Sequence, residues 1–371
     1  MENFVVSARK YRPMGFDEVV GQGHITTTLK NAIDNNHLAQ ALLFCGPRGV
    51  GKTTCARILA RMVNGFEETT SGDSSNSLNI YELDAASNNS VDDIRNLIDQ
   101  VRYPPQQGKF KVYIIDEVHM LSNQAFNAFL KTLEEPPAYA IFILATTEKH
   151  KVIPTILSRC QIFDFNRIEI SDITWQLKKI AEKENIEAEE EALHLISQKA
   201  DGALRDALSI FDLIVTFSSG NKVTYQDAIK NLHILDYDYF FQVTELLHNE
   251  KLPESLLLFN DILKEGFDGH NFVVGLAEHL RNIMVCKDPQ TVKLLEVSEG
   301  VKKKYVEQSG AVSLSFILSA LNILNICDLN YKSSKNQRLH VELALMKISY
   351  LNQAFNLNQI APTELKKKVL N

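Results

Sequence analysis

The chain has 371 residues, 45% of them hydrophobic and 23% charged, and 46 acidic against 39 basic side chains leave a formal net charge of -7. That balance describes a folded protein with room for two or three domains; it excludes a disordered chain and a protein that coats nucleic acid through bulk positive charge. Five cysteines (Cys45, Cys55, Cys160, Cys286, Cys327) without pairing or metal-ligand spacing read as reduced apolar residues.

The opening residues MENFVVSARKYRP lack the apolar core of a signal peptide, and no segment reads as the roughly 18 apolar residues of a spanning helix. A cytoplasmic protein with no membrane partner is the expectation. The runs ALLFC (41–45), LNIYELD (78–84), KVYIID (111–116), AIFILAT (140–146) and QIFDF (161–165) then alternate with helical patterns. Such alternation predicts βαβ units and a parallel sheet, hence an α/β fold. The runs at 111–116 and 140–146 are apolar almost throughout, which suits central strands covered on both faces. Between the first two runs, ETTSGDSSNS (68–77) is too polar to pack and is predicted to be a surface loop.

After about residue 167 the strand signal ends. A first helical block runs to about 234, and a second places Leu276, Leu280 and Ile283 on one helix face and Leu314, Ile317, Leu318, Leu321 and Leu324 on another. The second block reads as a compact helical domain. No internal repeat is present.

Gly46-Pro47-Arg48-Gly49-Val50-Gly51-Lys52-Thr53 matches the P-loop pattern in full, after the strand ALLFC and before the helical run TTCARILARMV. Its amides and the helix N-terminus would cradle phosphates, Lys52 would meet the outer phosphates, and the Thr53 hydroxyl would bind Mg²⁺. The bland alternative is a glycine-rich turn with a coincidental lysine, and eight matching positions in the right context weigh against it. Asp116 and Glu117 end the run KVYIID-E, which places two carboxylates at the binding edge of a parallel sheet. Asp116 suits the Mg²⁺ shell and Glu117 the polarisation of an attacking water.

Three further features stay open on sequence alone. Thr146 and Thr147 end AIFILATT, where hydroxyls would reach a γ-phosphate or its water, although threonine is common in strands. Ser158-Arg159-Cys160 offers a guanidinium either to a phosphate or to a surface ion pair. Arg205, in Gly202-Ala203-Leu204-Arg205-Asp206-Ala207, either folds onto the nucleotide or pairs on the helix surface with Asp206 or Asp201.

Taken in order, ARKYRP, GQ, GPRGVGKT, ELDAAS, YIIDEVHML, KTLEEPP, LATT, LSRC and GALRDALS resemble the gamma/tau subunits of the bacterial DNA polymerase III clamp loader. The likeness is dense over residues 1 to about 215 and thinner through NQRLHVELALMKISYL. It implies a P-loop AAA+ parallel-sheet ATPase domain over 1–167, a small all-α lid over 168–234 and an all-α collar that holds an oligomer together over 235–371. By the same resemblance the loop from Gly46 through Thr54 holds ATP, Thr53 and Asp116 hold Mg²⁺, and Glu117 serves the water. Thr147 would be the sensor beside the γ-phosphate and Arg205 a second sensor. Arg159 would be a finger acting on ATP in a neighbouring subunit, and Tyr11, Arg12, Pro13, Val20 and Gly21 would enclose the adenine.

The implied partners are delta and delta-prime subunits, further copies of this chain, a sliding clamp and primed DNA; polymerase and helicase would need a longer tail. ATP binding would open the clamp, and primed DNA would trigger hydrolysis and release. A helix after Ser87-Asn88-Asn89-Ser90 would offer its N-terminus to a DNA phosphate, with its far end near Val101, Tyr103 and Pro104 facing the clamp. One departure matters: many relatives carry a four-cysteine zinc module after the P-loop helix, whereas FEETTSGDSSNSLN has no cysteine, so no zinc is predicted. A non-catalytic scaffold and a hexameric DNA-remodelling ATPase are the alternative readings. Turnover and subunit count would separate them.

Overall fold

The computed structural model describes residues 5–65, 79–105, 108–218, 222–232, 235–295, 297 and 299–354. The segment that would carry a zinc module, 66–78, lies outside the described residues, as does the end of the proposed collar from 355 onward. The chain divides into two compact units between Thr224 and Tyr225.

In the first unit, strands β1 (Ala41–Cys45), β2 (Ile80–Asp84), β3 (Lys111–Asp116), β4 (Ala140–Thr146) and β5 (Gln161–Asp164) form one parallel sheet in the order β2-β3-β4-β1-β5. All five lie where the apolar runs predicted them. Helices α1 (Ser7–Lys10), α2 (Gly23–Asp34), α3 (Lys52–Val63), α4 (Val91–Val101), α5 (Asn123–Glu134) and α6 (Pro154–Leu157) accompany the sheet. Because side chains alternate along a strand, Leu43, Tyr113, Ile115, Phe142 and Leu144 pack under α4 and α5, while Leu42, Phe44, Ile114 and Ile143 pack under α2 and α3. Burial on both faces is why the inner strands carry no polar alternation.

An aromatic ladder holds the register. Tyr81, Tyr113 and Phe142 are paired partners on β2, β3 and β4, and their rings stack at 5.1 and 5.4 Å. Slipping by one residue would turn these rings to the opposite face, so the register is strongly specified. The same register aligns Asp84 with Asp116 and, on the other side of β4, Cys45 with Thr146. The ladder thereby sets the height at which the polar strand ends emerge.

Helices α7 (Ile170–Lys183), α8 (Glu190–Lys199) and α9 (Leu204–Phe217) complete the first unit with the short pair β6 (Glu187–Ala188) and β7 (Lys222–Val223). Ile173, Leu177, Leu193, Ile196, Phe211 and Ile214 are the buried sides of these helices. The unit's three cysteines are free, and burial pushes the Cys45 and Cys160 thiols up to about 11 and Cys55 to about 12. They are unreactive packing residues, as their scatter in the sequence suggested.

The second unit is helical: α10 (Tyr225–Leu232), α11 (Tyr237–His248), α12 (Leu252–Lys264), α13 (Gly269–Val285), α14 (Glu299–Ala311), α15 (Leu314–Tyr331) and α16 (Gln337–Ser349). Leu276, Leu280 and Ile283 of α13 are buried together, as predicted. The stripe predicted for α15 is corrected. Ile317 and Leu324 are buried, but Leu314 and Leu318 are exposed, and the buried face is completed by Phe316, Ala320, Cys327 and Tyr331. With apolar residues on nearly every side, this helix carries no periodic signal to say which face turns inward. Its 18 residues, with mean hydropathy 1.3, also meet the length and composition of a membrane span, contrary to the sequence expectation. Here it packs against α13 and α16.

A buried histidine anchors this unit. Gln308 Nε2 donates to the Phe241 carbonyl at 2.9 Å, so its Oε1 faces His279 Nε2 at 3.0 Å and requires a proton there. Nδ1 is then the acceptor for the Tyr305 hydroxyl at 3.0 Å. The neutral ring is fully satisfied, and burial pushes its pKa down to about 4 from 6.5. A base neutral when folded contributes stability that is complete above pH 6.5 and is lost as pH falls toward 4, in total about 3 kcal/mol. Urea unfolding of wild type and His279→Gln at a series of pH values is expected to show a gap that narrows through this window. A gap independent of pH would refute the assignment.

Candidate active site

The loop between β1 and α3 is built from positive-φ glycines. Gly46 has φ 146°, and a Cβ there would lie 2.4 Å from the Phe165 carbonyl oxygen. Gly49 has φ 77°, and its Cβ would lie 2.9 Å from that of Ala203, beside Arg205. Only glycine lets the main chain run this close to its neighbours. Gly51 is the N-cap of α3 and has no side chain to cap the amides of the first turn, which include those of Lys52, Thr53 and Thr54. Those amides are left for an external acceptor, and the helix dipole favours a negative one.

Lys52 is buried, and its Nζ donates to the carbonyls of Gly46 at 2.8 Å and Pro47 at 2.7 Å. Burial pushes its pKa down, while Glu117 and Asp116 act in the opposite direction. The ammonium is thus held over the loop with two carboxylates nearby. Arg48 is exposed and Val50 buried, so these two loop residues differ: the first faces solvent and the second anchors the turn in the core.

Across the sheet edge, Asp116 Oδ2 accepts from Thr53 Oγ1 at 2.6 Å, and Oδ1 accepts from the Glu117 amide at 2.9 Å. A hydroxyl and a carboxylate oxygen that already meet are the pair of hard oxygen donors a magnesium ion takes, so these residues fit that metal. Glu117 adopts the left-handed conformation, φ 48° and ψ 44°, at the start of a short 3-10 turn, Val118–Met120. A non-glycine residue held there stores strain at the site. Glu117 Oε2 accepts from Thr147 Oγ1 at 3.0 Å and from the Thr147 amide at 3.3 Å.

The strand order makes this meeting possible. β4 lies between β1 and β3, so its end delivers Thr146 and Thr147 between the P-loop and the acidic pair. Thr146 is fully buried, and its Oγ1 lies 3.0 Å from His119 Nδ1. His119 was not foreseen from sequence; the stretch DEVHML contains it, but only the 3-10 turn carries it back under the strand ends.

The remaining candidates are placed elsewhere. Arg159 follows α6 and pairs with Glu134 at the end of α5 at 2.5 Å, while also donating to the Thr155 carbonyl at 2.8 Å. That is the surface ion pair considered above, and nothing brings Arg159 to the P-loop of its own chain. The amide of Arg205 donates to the Gly49 carbonyl at 3.3 Å, so α9 starts directly on the P-loop. Among the described residues its guanidinium has no ion pair; Asp201 pairs instead with Arg167. Tyr11 donates to Glu184 at the end of α7, and Ser7 of α1 donates to Asp212 of α9 from its amide at 2.7 Å and its hydroxyl at 2.5 Å. Arg12, Pro13 and Val20 are half-buried, and Gly21 (φ 71°) packs against Ile168. The proposed adenine segment is therefore tied to the helices that follow the sheet.

At α4 the structure corrects the idea of a free phosphate-binding end. Ser90 Oγ accepts from the Asp93 amide and the Asp93 carboxylate accepts from the Ser90 amide, a closed capping box, with Asp92 and Asp93 in the first turn. The box takes up the Asp93 and Ser90 amides, and the Asp93 carboxylate sits where a phosphate would otherwise meet them. At the other end Tyr103 is 70% exposed, and Val101 is buried.

Comparisons with known proteins accord with this arrangement. Residues 21–169 match the family model of the DNA polymerase III delta subunit, and residues 172–220 match that of the DNA polymerase III clamp loader subunit ATPase lid domain. The tau subunit of DNA polymerase III from Bacillus subtilis is 38% identical over 354 residues, covering 92% of this chain and 62% of that one. The gamma subunit from Buchnera aphidicola subsp. Baizongia pistaciae is 34% identical over 371 residues, 94% of this chain and 98% of that one. Tau from Escherichia coli is 40% identical over 292 residues, 76% of this chain and 45% of that one. The chain thus spans under two thirds of the length of these tau proteins and nearly all of the gamma protein.

Proposed function

The chain belongs to the gamma/tau family of DNA polymerase III subunits, and from that premise we propose that it is an ATP-hydrolysing motor subunit of a clamp loader. The observation that carries the proposal is the meeting of Thr53 and Asp116 at 2.6 Å, beside Lys52 and with Glu117 one residue away. Three domains suit the role: an ATPase core over 1–167, a lid over 168–234 and a collar over 235–371.

In the proposed mechanism the open amides of α3 and the Gly46–Gly51 loop bind the phosphates, and Lys52 exchanges the carbonyls of Gly46 and Pro47 for phosphate oxygens. Thr53 and Asp116 hold Mg²⁺, which when bound neutralises charge on the transferred phosphoryl group. Glu117 leaves Thr147 to orient the attacking water, and the freed Thr147 hydroxyl senses the γ-phosphate. Arg205, whose helix rests on Gly49, reports nucleotide to the lid. Tyr11 through Pro13, with Val20 and Gly21, encloses the base. Arg159 exchanges Glu134 for the ATP of a neighbouring subunit, so that turnover depends on assembly with delta, delta-prime and further copies of the chain. The work is done on a sliding clamp and primed DNA in the cytoplasm. Zinc has no part in it, and a stoichiometric zinc measured on the purified protein would overturn that.

The test mixes the chain with candidate partner subunits, clamp and primed DNA and measures ATP turnover with each component omitted in turn. Slow turnover alone and stimulation only in the full mixture is the expected result. Nucleotide binding without turnover in the full mixture would favour the non-catalytic scaffold.

A further inference from the structure

His119 has no role in the mechanism above, yet it occupies the centre of the polar cluster at the ends of β3 and β4. Its side chain is 7% exposed, against 31% for Glu117 and 36% for Glu148. Nε2 lies 3.1 Å from Glu148 Oε2, and a carboxylate only accepts, so Nε2 carries a proton. The Glu148 amide donates to Thr146 Oγ1 at 3.0 Å, and the same oxygen lies 3.0 Å from His119 Nδ1. The ring is therefore held by a closed loop through Thr146 and Glu148. Lys151 holds the same Glu148 oxygen at 2.7 Å. With the ring so fixed, Nδ1 lies 3.4 Å from Glu117 Oε2, the oxygen that also receives both Thr147 donors.

We propose that His119 is a positioning residue for Glu117: the imidazole, locked by Thr146 and Glu148, backs the carboxylate and sets the direction from which it meets the attacking water. The inference rests on the ATPase reading of this site and names a residue which that reading leaves idle. A mobile carboxylate at a left-handed backbone position has several rotamers available, and misplacing a reacting group by about 1 Å costs up to ~100-fold in rate. The wall provided by His119 removes those alternatives. It does not touch the phosphate cradle, so nucleotide affinity is independent of it.

The two ring nitrogens are distinguished by substitution. Asn places its amide where Nδ1 was, keeping the reach to Thr146 and Glu117; Gln places its amide where Nε2 was, keeping only the reach to Glu148. In the complete mixture of subunits, clamp and DNA, His119→Ala is expected to lower kcat by roughly 10- to 100-fold with KM and binding of a fluorescent ATP analogue unchanged. His119→Asn is expected to restore most of the rate, and His119→Gln little of it. Melting temperatures of the three variants accompany the rates. An unchanged kcat in His119→Ala, equal rates in the Asn and Gln variants, or rate losses that simply follow the melting temperatures would overturn this assignment alone. Absence of turnover in the wild type would overturn the ATPase reading and this assignment with it.

Discussion

Glu117→Gln is expected to lower ATP turnover of the assembled complex by roughly 10²- to 10⁴-fold while nucleotide binding is retained, the loss that follows when a water-orienting base becomes an amide. Expressed as a barrier, the loss is about 3–5 kcal/mol. The substitution isolates chemistry from binding because of where the contacts lie. Lys52 donates to the loop carbonyls of Gly46 and Pro47 and Thr53 to Asp116, whereas the Glu117 carboxylate contacts Thr147 and His119. Glutamine keeps the size of the side chain and an oxygen for Thr147, so the strand ends stay in place. Steady-state turnover and titration with a fluorescent nucleotide, measured on the same preparation, provide the check. Turnover within about tenfold of wild type would remove Glu117 from the mechanism.

Arg159→Ala is expected to abolish the stimulation of turnover that assembly brings, a loss on the order of 10³-fold for a guanidinium acting across a subunit boundary. The isolated chain is expected to be almost unaffected. Arg159 and Glu134 are 33% and 48% exposed, and an ion pair that open to water contributes no more than about 1 kcal/mol. The two measurements therefore separate the two readings of this residue. A large drop in the melting temperature of the isolated chain with an unchanged stimulated rate would make Arg159 a structural partner of α5 and nothing more. Arg159→Lys adds a second comparison, since lysine keeps the charge but not the planar fork.

Much of this site was legible in the residues because its chemistry is local. The P-loop is a continuous run whose glycine spacing follows from backbone geometry, and positive φ at Gly46, Gly49 and Gly51 bears that geometry out. Asp116 and Glu117 were legible because a strand buried on both faces is apolar until the residue where it leaves the sheet. The Ser90 cap of α4 follows the same local logic. Its reciprocal Asp93 carries the correction, because a capping box that closes on an acidic residue leaves a helix end with little appeal for a phosphate.

Features that depend on residues far apart in sequence were not legible. Arg159 and Glu134 are a helix and a strand apart, and Arg167 takes the carboxylate of Asp201 that the sequence offered equally to Arg205. The inward face of α15 was misjudged for the opposite reason: its sequence is apolar on too many sides, and the neighbouring helices α13 and α16 select the face.

The sequence by itself determined the five strands, the phosphate loop and the two carboxylates, because each is written in consecutive residues whose spacing answers to a bond length or a pleat. The order of those strands was decided only in three dimensions. Nothing in the run AIFILATT says that it inserts between the P-loop strand and the acidic strand, since strand order depends on how the intervening helices pack back on the sheet. That insertion brings Thr147 to the carboxylate of Glu117 and Thr146 to the ring of His119.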